Sequence, residues 1–322
     1  MSHVIVRRLA MAPLLVVTVA AAVFFTARLL PGDPLERLVT EDTDPDFVPR
    51  LRRQMGLDRP AAVQFGMWLR GAVQGDWGES WISRRPVAAL VAEALPNTLR
   101  LTVLAFAMRW TLAVIIGIAA ALRHGRRSDW GLRTATLVVD ALPAFVLGVL
   151  LQLVFAYGLQ WLPADGMHAL DAAGLDGFAR WRDSLAHLCL PVLVLGIHHV
   201  ATSARFVRAA VLEASTREHV LAARARGLSD RRVLLRHVLR NALGPLVTLF
   251  ALSLPGLVGG SLIVETLFSW PGMGRLTVGA AQAHDQPVLL AAVALVATLV
   301  VLSNLVADVV AAAVDPRQRR EV

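Results

Sequence analysis

Runs of about twenty or more apolar residues recur along this chain, and they restrict the fold more than any other feature. A helix rises about 1.5 Å per residue, so about 20 apolar residues cross a hydrocarbon core of about 30 Å. Segments 9–30, 97–122, 132–158, 187–207, 243–268 and 288–314 reach that length. Inside lipid every backbone N–H and C=O needs an internal partner, which leaves helices and closed barrels. The two-residue alternation of barrel strands is absent. The expectation is therefore an all-α integral membrane protein with six transmembrane helices. The first run follows Arg7 and Arg8 as a leader would, but it exceeds the roughly 7–15-residue apolar core of a signal peptide. No small-residue cleavage site follows, so it is read as a span.

Charge supplies the orientation. All 32 basic residues are arginine, the net charge is +8, and the sequence pI is near 11.3. Such basicity elsewhere suggests a nucleic-acid partner; here no nucleic acid is expected, because the chain is 56% hydrophobic with mean hydropathy +0.58. The arginines gather at Arg7–Arg8, at Arg123–Arg133, between Arg205 and Arg240, and at Arg317–Arg320. With six spans all four clusters fall on one side, and cytoplasmic loops carry that excess. Both termini are thus expected in the cytoplasm of a prokaryotic cell, beneath its inner membrane. The opposite connections carry Glu41, Asp42, Asp44, Asp46, Asp165, Asp171, Asp176 and Asp183. A single cysteine, Cys189, excludes an intramolecular disulfide framework.

Three regions follow. Residues 1–96 hold the first span and an extracytoplasmic cap, 97–314 the remaining five spans with a cytoplasmic loop at 208–242, and 315–322 a tail. In the cap, Pro31-Gly32-Asp33-Pro34 stops the first span, 48–58 reads as a short helix ended by Gly56, and 60–78 as a second helix bearing Trp68 near Trp77. Aromatics favour the headgroup level, so this cap is expected at the interface.

The arginine-dense run EHVLAARARGLSDRRVLLRHVLRNALGP carries more information than orientation. Over Glu218–Arg226 the arginines interrupt any continuous apolar face, which a membrane-surface helix needs. Ala222, Ala223 and Ala225 allow another surface to come close, and Gly227 is a natural terminator. Ser229 and Asp230 are expected to cap a second helix, with Arg232, Arg236 and Arg240 on one side and Leu234, Leu235, Val238 and Ala242 on the other. The pattern is that of a short docking helix and a return to the bilayer.

That run resembles the cytoplasmic EAA-type loop of ABC-transporter permeases, nearest to the dipeptide/oligopeptide/nickel importer subfamily. RLLPGDP, LRRQMGLDRP, QGDWGES, LPNTLRL, LPAFVLGVLL, WLP, VETLFSWPGMGRL and VDPR follow in family order across nearly the whole chain. The resemblance implies a type I ABC importer permease fold in which Glu218, Ala222, Ala225, Arg226 and Gly227 form an ATPase-coupling helix. His219 and Leu221-Ala222 depart from commoner residues of the motif. It further implies a second homologous permease, expected as a heterodimer, two ABC ATPase subunits and an extracytoplasmic solute-binding protein, all working in membrane lipid. Peptides are the implied cargo, with nickel or another small solute as the alternative.

The remaining signals are read from the residues. A phosphate-binding GxxxxGK loop needs a lysine and the chain has none; ATP and magnesium are expected on the partner subunits, no cofactor on this chain, and no catalytic residue. Pro255, Gly256, Gly259 and Gly260 interrupt the fifth span and are expected at a gate. Arg109 lies near mid-bilayer and Asp140 within about 10 Å of it in depth at 1.5 Å per residue; they are expected to pair inside the bundle, directly or through water, since a charge facing lipid there costs about 2.5–3.5 kcal/mol or more. Asp140 also keeps an ion-coupled secondary transporter as a less favoured reading. His187, Cys189, His198 and His199 lie along the fourth span, but His198 and His199 are adjacent and diverge on a helix, so no metal site is expected.

Overall fold

The computed structural model describes residues 2–29, 47–54, 56–169, 174, 176–256 and 261–314. In chain order it holds α1 (Ser2–Ala27), α2 (Phe47–Gln54), α3 (Ala61–Val73), α4 (Val87–Leu122), α5 (Arg127–Asp140) and α6 (Ala144–Leu151), which runs into a π turn at Gln152–Gly158. Then come α7 (Gly177–Ile197), α8 (Val200–Ser215), α9 (Glu218–Ala225), α10 (Asp230–Val233) with a π turn at Leu234–Val238, α11 (Leu239–Leu252), α12 (Leu262–Leu267), α13 (Met273–Gln282) and α14 (Gln286–Val314). Among the described residues there is no strand, only an isolated bridge between Glu79 and Pro86.

Ala10–Ala27, α4, the continuous run Asp230–Leu252, and Gln286–Ala311 are long and apolar enough to cross a membrane, and α7 with α8 reaches that length and apolarity only taken together, as a pair bent by 53°. The other expected span, 132–158, is two helices. Leu142 precedes Pro143, a position biased away from helical geometry, and α6 restarts with Pro143 as its cap. The span expected at 243–268 instead begins at Asp230, ends at Leu252, and is followed by α12. Proline does not by itself decide these breaks. Pro13, Pro96, Pro191 and Pro245 all sit inside continuous helices, because neighbouring helices and local adjustments re-satisfy the freed backbone groups.

α4 is the centre of the bundle. A side chain at Gly117 would overlap Val207 and the Ala204 carbonyl of α8, and one at Gly196 would overlap Met108 and the Ala105 carbonyl of α4. Small residues at such crossings let membrane helices pack backbone to backbone. Three apolar cores surround α4. One joins Trp110 to Val207, Val211, Val220, Ala223, Val233, Val238 and Ala242 at the α9 end; the second joins Val87 and Val91 to Met273, Ala280 and Val288 at the opposite end. The third joins Leu190 and Val194 of α7 to Val264 and Phe268. The π turn explains the spacing in the first core: Val233 and Val238 are both buried although five residues apart, because the turn inserts one residue before α11.

At the end away from α9, α3 packs on α1 through Phe24, Phe65 and Trp68, with Arg28 over the Phe24 ring at 5.0 Å and bonded to Gln64. The loop after α3 is tied to the bundle by the buried Asp285, which accepts the Ser80 hydroxyl at 2.5 Å and the Trp81 N–H at 3.1 Å.

Candidate functional site: the α9 face and three broken spans

Eight residues of α9 separate into a root and a face. Val220 and Ala223 are fully buried in the core shared with α8 and α11. Glu218, His219, Leu221, Ala222, Arg224 and Ala225 are exposed, as is the capping Arg226. Of the three small residues expected on the approach surface, Ala222 and Ala225 lie outward and Ala223 faces the core. Gly227 ends the helix with φ +76, and the Leu228 N–H reaches back to the Ala223 carbonyl. Glycine, without a Cβ, adopts that φ with no steric penalty. Ser229 precedes α10 but makes no side-chain cap bond. On the exposed side the His219 ring accepts from the Asn241 amide NH2 at 2.9 Å, which joins α9 to α11.

Deeper in the bundle, three spans break around one turn of α4. Arg109 donates to the Ser203 hydroxyl at 3.0 and 2.8 Å. Asp140, the last residue of α5, accepts the His199 backbone N–H at 2.6 Å and the Thr202 hydroxyl at 3.3 Å. Arg109 and Asp140 thus meet neighbouring residues of α8, and no ion pair within 4 Å joins them among the described residues. The Trp110 indole N–H donates to the Ser253 hydroxyl at 3.2 Å, where α11 ends. Gly256 lines a cavity of about 50 Å³ with Arg109, Ser253 and Ser261; Pro255 is half-buried beside it. Gly259 and Gly260 lie outside the described residues.

His199 takes a left-handed conformation, φ 66, between α7 and α8. The break puts the His198 and His199 rings 3.9 Å apart between centroids. Divergence of adjacent side chains, the ground for excluding a metal, holds on a regular helix and not here.

Sequence reasoning missed two polar anchors. Glu265 is fully buried; its carboxylate accepts the Thr98 hydroxyl at 2.8 Å and the backbone N–H groups of Gly274 and Arg275 at 2.6 and 3.1 Å. An acid inside the apolar run SLIVETLFSW was the available signal. Asp129, also buried, takes a two-point contact from Arg208 at 3.1 and 2.7 Å, and His124 meets the same guanidinium at 2.6 Å. Nothing in local sequence connects residues that far apart.

Comparison with known proteins matches this architecture. Residues 113–320 match the family described as binding-protein-dependent transport system inner membrane component, and residues 1–102 match the corresponding N-terminal family. The chain is 38% identical over 319 residues to the glutathione transport system permease protein GsiC of Salmonella choleraesuis (strain SC-B67), covering 99% of each chain. The identity and coverage are the same for GsiC of Escherichia coli (strain K12). A solved structure of the MetNI methionine ABC transporter in an inward-facing conformation aligns with a TM-score of 0.55 at 19% identity, over 70% of this chain and 96% of that one; this likeness bears on the fold alone and is that of a type I ABC permease. Such family members are non-catalytic membrane components, which accords with the missing phosphate-binding loop. The chain therefore belongs to the binding-protein-dependent transport system inner membrane components, as a multi-pass permease subunit of an ABC importer of the peptide/nickel subfamily.

Proposed function

We propose that this permease carries small peptides, handed over by a solute-binding protein, along a pathway shared with a second permease of similar design. The observation that carries the coupling half of the reading is the division of α9. Two buried residues hold it to the bundle, while Glu218, Ala222, Ala225 and Arg226 stand outward ahead of the left-handed Gly227. Such a helix moves with the core beneath it and offers a small-residue surface to an ATPase subunit. ATP and magnesium would bind on that subunit. The α9 end and both termini then face the cytoplasm, in keeping with the arginine distribution. Pro255 and Gly256, beside Arg109 at the end of α11, are the gate residues in this reading. The peptide half is supported by the full-length similarity to glutathione permeases, whose named solute is peptide-like.

The test is uptake by proteoliposomes holding this permease with its second permease and ATPases, supplied with the binding protein and labelled di- and tripeptides. ATP-dependent peptide accumulation is expected. Uptake driven by an ion gradient without ATP would overturn the coupling reading. ATP-dependent uptake of radioactive nickel with no peptide uptake would overturn the cargo alone.

A further inference from the structure

The ends of two broken spans meet at Asp140, His198 and His199. Asp140 closes α5, and the two histidines form the break between α7 and α8. Each offers one ligand atom, and these atoms lie within 4.8 Å of one another. His199 Nδ1 stands 3.9 Å from Asp140 Oδ1, with the carboxylate side chain 13% and the imidazole 57% exposed. The Nδ1 atom of His198 is closed off from solvent without a hydrogen-bond partner among the described residues; buried polar atoms are normally satisfied. Left-handed geometry is uncommon for a residue with a Cβ and clusters at functional sites. Here it gathers side chains that a continuous helix would spread apart.

We propose that Asp140, His198 and His199 bind a divalent transition ion, zinc by preference, which clamps the α5–α6 break to the α7–α8 break. Two imidazoles and a carboxylate are a borderline-soft donor set; calcium and magnesium take oxygen ligands instead. Zn–N bonds of about 2.0–2.1 Å place tetrahedral ligands roughly 3.3 Å apart, so the rings and carboxylate need close by only about 1.5 Å. Arg109 is the cation that faces this cluster from α4. Its guanidinium is bonded to Ser203 and leaves the Asp140 oxygens to other partners. Its charge opposes the ion through space, so binding is reversible, and the ion tightens a hinge that opens without it. Exposure of His199 gives the ion its way in. This site is independent of the peptide reading.

The full chain, carrying a histidine-free affinity tag, is purified in detergent and titrated with Co²⁺, then with Zn²⁺. A four-coordinate Co²⁺ absorption saturating at one ion per chain and displaced by Zn²⁺ is expected. His199→Asn keeps a residue that tolerates the left-handed region, and Asp140→Asn keeps an acceptor for the His199 N–H. Each, like His198→Gln, should weaken binding at least by the roughly 10–100-fold that loss of an outer-shell partner costs. No Co²⁺ signal, or an equal one in the three variants, overturns the proposal. A second measurement uses the unmodified chain: Zn²⁺ should slow amide hydrogen exchange over 138–142 and 197–203. Exchange there that is the same with and without Zn²⁺ also overturns it.

Discussion

Glu265 is a carboxylate sealed inside the bundle and, among the described residues, without an ion-pair partner. Its oxygens are held by backbone N–H groups and one hydroxyl. The first turn of α13 aims the Gly274 and Arg275 N–H groups at one oxygen, and the Met273 N–H is taken by Thr98, whose hydroxyl donates to the other. A helix N-terminus carries about half a positive charge, which favours an anion at this position. Side chains at Gly272 and Gly274 would collide with the carboxylate, so both glycines keep the space it fills. Glu265→Gln exchanges one acceptor oxygen for an amide that points hydrogens at donors. Hydrogen bonds to charged groups contribute about 1.5–3 kcal/mol each, so the variant should lose on the order of 2 kcal/mol, read as a lower thermal midpoint in detergent. An unchanged midpoint would show that the charge is not what holds α13 to α4. The anomaly of an acid in an apolar run could be seen in the sequence. Its partners could not, since Thr98 is 167 residues away and the backbone donors have no identity to read.

At the scale of elements, α9 makes a prediction from two adjacent alanines. Ala222→Leu adds bulk to an exposed face, so it should leave the thermal midpoint unchanged while weakening association with the ATPase subunits. Ala223→Leu forces bulk into a fully buried position, where overpacking costs about 1–3 kcal/mol, and should lower the midpoint first. Pull-down of the ATPases and melting of both variants separates the cases; a reversed pattern would mean that α9 presents its other side. Gly227→Val belongs to the same element. A Cβ at that position would meet open space, so the penalty comes from φ +76 alone, about 1–3 kcal/mol, and should appear as lost ATPase stimulation in a chain that still inserts. This helix and its terminator were legible because helix propensity, small residues and a lone glycine are local properties. The long spans were legible from hydropathy for the same reason. The broken ones were not: hydropathy is blind to the left-handed turn at His199, to the restart at Pro143, and to the π turn that moves Val238 into the core.

For the whole molecule, a buried ion pair fixes the first turn of α5 to α8. Asp129 and Arg208 have side chains only 5% and 16% exposed, so removing one takes from the other its two-point charged partner. Arg208→Met or Asp129→Leu alone should cost about 3–5 kcal/mol, and the double variant should recover much of it. Additive losses in that double-mutant cycle would show that each residue acts through other neighbours. Between this pair at the α9 end and the Glu265 and Asp285 anchors at the other lies the level of Arg109 and Trp110, where α5, α7 and α11 all stop. Three interruptions at one depth amount to a seam across the bundle, which α4 crosses unbroken. A helix severed at a seam can swing without stretching any of its own hydrogen bonds, whereas an unbroken one must bend along its length. On the coupling reading proposed above, a tilt entering through α9 turns at the seam with α4 as its spindle. On that reading, force applied to the eight residues of α9 becomes a change of angle at the seam.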